Sequence, residues 1–118
     1  MKMNGRRYLE IRNDSTPVDT TGIPVLDYSL FREEVTAMLN RDDCHCLNYF
    51  CHPVGAGLRF ICCIADDSSG LIRIFSHEKG DDDSALQSLT PSCSAMHIFE
   101  REIHEPHTVT FMYFTFKN

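Results

Sequence analysis

Thiols and imidazoles crowd one short stretch of this chain, where Cys44, His45 and Cys46 are followed by Cys51 and His52. Thiolates and imidazoles at such spacing are the donors that zinc and iron–sulfur centres use. On an extended strand, however, successive side chains point to opposite faces. Cys44 and Cys46 would then face one side and His45 and Cys51 the other, and no second CxxC-type pair completes a ligand set. The expectation is of thiols packed alternately into a core. Cys62 and Cys63 are adjacent, point to opposite faces of a strand, and would form a strained bond. No metal or cofactor site is assigned.

A second cluster lies near the C-terminus. His97, Glu100 and His104 stand at i, i+3 and i+7, a helical spacing that groups them on a polar face, read as opposite an apolar stripe of Met96, Phe99 and Ile103. A Glu and a His one turn apart can bind metal. His97 and His104 are nevertheless about 10 Å apart along a helix axis, too far to share one ion. The face is read as a polar contact surface. Nucleophilic catalysis needs a Ser or Cys beside a base and an orienting acid. Cys93 with His97 is the one pair a turn apart, and Cys93 lies beside the apolar stripe. Neither GxSxG nor a P-loop nor GxGxxG is present, and Gly55-Ala56-Gly57 is an isolated turn. No catalytic residue is assigned.

The elements that must carry these residues follow from periodicity. Tyr8 to Ile11 is a short strand, and Asn13 to Pro24 is rich in turn formers. Asp27 to Arg41 places Phe31, Val35, Met38 and Leu39 on one helical face, with Asp27 or Ser29 as N-cap. Cys44 to Cys51 is a strand ended by His52-Pro53. Leu58 to Ala65 carries apolar residues on both faces, as a central strand does. Asp66 to Gly70 turns the chain into a partner strand, Leu71 to Ser76, which pairs antiparallel. Glu78 to Ser84 is an acidic loop. Thr90 and Pro91 then open a helix that Pro106 ends, and Thr108 to Phe116 is a last strand. The order β, α, β, β, β, α, β predicts an α+β two-layer sandwich, with two main helices on one face of a four- to five-stranded, mostly antiparallel sheet.

With 118 residues, the chain suits one domain over 1–118. Its formal charge of −6 and the lack of a basic stripe argue against nucleic acid as a partner. No apolar run approaches the roughly 20 residues that cross a bilayer. The opening residues also lack a signal peptide's apolar segment. The expectation is a cytoplasmic protein whose six cysteines are reduced, with no direct membrane insertion.

The run from His97 to Glu105, His-Ile-Phe-Glu-Arg-Glu-Ile-His-Glu, preceded by Leu89-Thr90-Pro91-Ser92, resembles the signature region of the 30 kDa subunit of NADH:quinone oxidoreductase. It looks closest to the related N-terminal domain of the large subunit of energy-converting nickel–iron hydrogenases, of the formate hydrogenlyase type. The resemblance spans about residues 27 to 105. It implies a domain without cofactors that docks on the quinone-site or nickel–iron subunit, and it carries that contact onto Glu100, Arg101 and Glu102, flanked by His97 and His104. The family continues into an extended docking segment, whereas this chain turns to Pro106-His107. The implied function is a non-catalytic docking subunit of an oxidoreductase complex, peripheral to the inner membrane through that complex. The rival, read from the residues, is a small cytosolic metal-binding or thiol-redox protein using Cys44, Cys46, Cys51 and neighbouring histidines.

Overall fold

The computed structural model describes residues 7–12, 20–80, 86–87, 96, 99–101, 103 and 111–112. The longest strands, rich in strong β-formers, are β3 (Cys44–Val54), β4 (Gly57–Asp66) and β5 (Leu71–Lys79), joined by two tight hairpins. Gly55, with φ 58°, opens the two-residue turn between β3 and β4, a conformation that costs glycine nothing. The β4–β5 turn is organised by Asp66, whose Oδ1 accepts from the Ser68 amide at 3.1 Å and the Ser68 hydroxyl at 2.7 Å.

Two short strands share the far side of β5. β1 (Leu9–Arg12) pairs antiparallel with its first half, and β2 (Val25–Leu26) pairs parallel with Ser76 and His77. The five-stranded, mostly antiparallel sheet therefore runs from β1 and β2 through β5 and β4 to β3. As expected, β4 is central. Phe60, Cys62 and Ile64 face a large core on one side, and Ile61 faces a smaller one with Ile23 and Ile74 on the other.

Helix α1 (Tyr28–Leu39) covers the first of these faces. Asp27 is its N-cap, accepting from the Ser29 amide at 3.0 Å, and Phe31, Val35 and Met38 are buried. Phe99, Glu100, Arg101 and Ile103 are helical as well, and Met96 and Ile103 join the same core as α1. The architecture is α+β. The segment before α1 is tied to the opposite sheet face by buried Arg59, which donates to the Ile23 carbonyl at 2.8 Å, and by Ser76, whose hydroxyl donates to the Pro24 carbonyl at 2.8 Å.

Four details differ from the sequence expectation. β3 runs on through Pro53 to Val54, which an edge strand tolerates because Pro lacks only a donor that need not be paired there. β5 continues to Lys79, taking in Ser76, His77 and Glu78. β2 lies in a stretch with too few residues to show a period. β6 (Leu86–Gln87) pairs parallel with β7 (Phe111–Met112) in a separate ladder, so the described part of the last strand is not in the main sheet. No helix among the described residues is long and apolar enough to cross a membrane.

Candidate functional site

The edge strand β3 positions the first cluster singled out by its chemistry, Cys44, His45, Cys46, Cys51 and His52. Its register with β4 runs Cys46↔Ile64 and then Asn48↔Cys63, so Leu47 is an extra, bulged residue. This single insertion changes which way every later side chain points. Cys44, Cys46, Tyr49 and Cys51 consequently share the core face, together with Cys62 from β4. The expectation that Cys51 faces away from Cys44 and Cys46 is overturned by the bulge. The histidines do not join the thiols. His45 is exposed, with Nδ1 3.4 Å from an Asp67 carboxylate oxygen, and His52 Nδ1 lies 3.3 Å from the adjacent Pro53 carbonyl.

The five described cysteines, Cys44, Cys46, Cys51, Cys62 and Cys63, are thiols without a disulfide, and Cys93 lies outside the described residues. Cys46 Sγ lies 4.0 Å from Cys62 Sγ. The hydrogen bond from Cys62 holds the Cys46 thiol below its ordinary range despite partial burial. Burial pushes Cys51 and Cys63 up to about 11. An unpaired low-dielectric setting disfavours thiolate, and a donor restores it.

Where the end of α1 meets the β4–β5 turn, one donor atom each from Asp43, Cys44 and Asp66 lie within 4.8 Å of one another. Arg41 occupies this corner, its Nη2 at 3.2 Å from Asp43 and 3.4 Å from Asp66. The Ser68 hydroxyl, followed by other hydrogen bonds and Arg41, holds both carboxyl groups below their ordinary range. The acids thus close a turn around a guanidinium.

Between α1 and the sheet lies a polar centre that the sequence did not single out. His77 is wholly buried and stacked on Phe60, with ring centroids 4.4 Å apart and planes 10° apart. Phe31 and Tyr28 flank the same ring at 4.3 and 4.7 Å. Its Nε2 lies 3.3 Å from the Tyr49 hydroxyl. Burial pushes the imidazole down to about 3, so it is neutral at physiological pH. Burial raises the Tyr28 and Tyr49 phenols, and Glu100 raises both further. Tyr49, His77 and Glu100 are all closed to solvent, and His77 Nδ1 has no hydrogen-bond partner among the described residues.

Glu100 is also the principal correction to the expected docking face. It is 0% exposed and shares the buried helix face with Met96 and Ile103, whereas Phe99 is only half-buried. At about 100° per residue, position 100 falls about 40° beyond Met96, bordering the apolar stripe and not opposite it. Arg101 is exposed. His97, Glu102 and His104 lie outside the described residues.

Exposed apolar side chains concentrate instead on β3, where Leu47 is 44%, Phe50 37% and Val54 42% exposed. Among the described residues no strand pairs with the free side of β3. The sequence carries a local trace of the irregularity, though not of the strand's place at the edge. Leu47-Asn48-Tyr49-Phe50 breaks strict alternation, as a bulge requires, and leaves more apolar residues than one core face can take. Comparisons with protein families, with characterised proteins and with solved structures find no match for this chain.

Proposed function

We propose that this chain is a non-catalytic docking module of a complex I-like or energy-converting hydrogenase-like oxidoreductase, and that it binds the large quinone-site or nickel–iron subunit. The observation that supports this reading is the apolar edge strand. A strand with one unpaired side offers backbone donors and acceptors to an incoming strand, and neighbouring side chains supply specificity. Leu47, Phe50 and Val54 add exposed apolar surface along that edge. The bulge at Leu47 and the missing amide of Pro53 confine regular pairing to about Asn48–His52, a window short enough to discourage unspecific stacking. Arg101, carried over from the family resemblance, contributes a charge that matters at an interface more than in the free domain.

The test is co-purification of the tagged chain with that large subunit from its source cell, using Phe50→Asp and Arg101→Ala. Both side chains are exposed, so the melting temperature should stay within a few degrees of the unmutated protein. Loss of a central apolar anchor costs about 2 kcal/mol or more of binding, roughly a 30-fold weakening. Retained folding with lost co-purification is the expected result. Undiminished recovery of the large subunit with both variants, or no such subunit with the unmutated chain, would overturn the reading.

A further inference from the structure

The sulfurs of Cys46 and Cys62 meet across the β3–β4 ladder, on the core face of the edge strand. Cys62 sits opposite Tyr49 and Cys46 opposite Ile64, so the two cysteines are diagonal neighbours on the core face, separated by the bulge at Leu47. Their Sγ atoms are 4.0 Å apart. Cys46 is half-buried and Cys62 wholly buried. We infer that this is a two-thiol site that a low-molecular-weight disulfide oxidises to a Cys46–Cys62 cross-link.

The unequal exposure sets the order of events. The Cys46 thiolate attacks one sulfur of the small disulfide, forming a mixed disulfide on Cys46 and releasing one small thiol. Cys62, as thiolate, then attacks the Cys46 sulfur, which forms the intramolecular bond and releases the second small thiol. Two electrons pass from the protein to the small disulfide, and the two cysteine protons end on the two released thiols. The sulfurs must close from 4.0 Å to roughly 2.05 Å, a movement within the reach of side-chain rotation and the adaptable backbone of a bulge. Cys62 and Cys63 are excluded as partners of each other, since they face the two different cores of the sheet. The consequence is a covalent tie between the edge strand and the central strand.

Fully reduced protein would be incubated with graded ratios of oxidised to reduced glutathione, quenched by alkylation, and mapped by mass spectrometry. Expected is a product lighter by two hydrogens, with the bond mapped to Cys46–Cys62. Cys62→Ala should accumulate a single glutathione adduct on Cys46, and Cys46→Ala should abolish both species at this site. The mapping of the unmutated chain stands even if a variant fails to fold. A first disulfide joining other cysteines, or Cys46 and Cys62 both remaining alkylatable at oxidising ratios, would overturn the inference. The isolated chain is used, so the outcome is independent of any docking partner.

Discussion

At His77 the core holds an imidazole that must stay neutral, because a charge there would sit among the rings of Phe60, Phe31 and Tyr28. Its folded pKa is pushed down to about 3, below the ordinary 6.5. Between those values the unfolded chain binds a proton that the folded chain does not. His77 therefore costs nothing above pH 6.5, and stability falls as pH drops towards 3, by up to about 1.4 kcal/mol per pH unit. In melts between pH 7 and pH 4.5, His77→Leu should show a flatter decline than the unmutated protein, whatever its absolute stability. Equal slopes would contradict the buried neutral imidazole. Phe60, stacked on that ring and wholly buried, should lose about 3 to 5 kcal/mol on truncation to Ala, measured by denaturant unfolding. Phe99→Ala should lose less, since it is only half-buried. Phe60 was legible in the sequence because β4 is apolar on both faces, so either orientation of the strand buries it. Glu100 was not, since a lone carboxylate on a helix reads as surface until its tertiary neighbours, Tyr28 and Tyr49, are known.

At the scale of elements, the regular pieces were the legible ones. Helix α1, its Asp27 cap and the β4–β5 hairpin follow from period and turn chemistry, and they stand where those signals put them. The bulge at Leu47 was harder, because one inserted residue leaves local composition unchanged while reversing the faces of all that follows. β2 and β6 were hidden by their length of two residues each, too short for any pattern. The start of β4 gives a sharp test of the hairpin packing. A Cβ at Gly57 would collide with the Lys79 carbonyl oxygen on β5, a backbone atom that cannot swing aside. Gly57→Ala should therefore destabilise by about 1 to 3 kcal/mol. Gly22→Ala, where the added methyl meets nothing within 4 Å, should change stability by about 0.5 kcal/mol or less. A Gly57→Ala midpoint equal to that of Gly22→Ala would mean that β4 and β5 are less closely apposed than described.

For the whole molecule, alternating elements and a central two-faced strand made the α+β class readable from the sequence. The proposed docking edge was not readable in the same way, because it depends on which strand ends up at the sheet's edge. That placement moves the weight of the docking account from the polar face of the second helix, where Glu100 is buried, to β3, where Leu47, Phe50 and Val54 are exposed. Strand addition would give the unpaired amides of β3 new acceptors and so slow their exchange with solvent. The most direct measurement is amide hydrogen exchange across β3, comparing the isolated chain with the same chain in complex with the large oxidoreductase subunit. Strong added protection is expected within Asn48–His52, with β4 and β5 unchanged. Unaltered exchange in that window, with protection appearing only elsewhere in the chain, would contradict it.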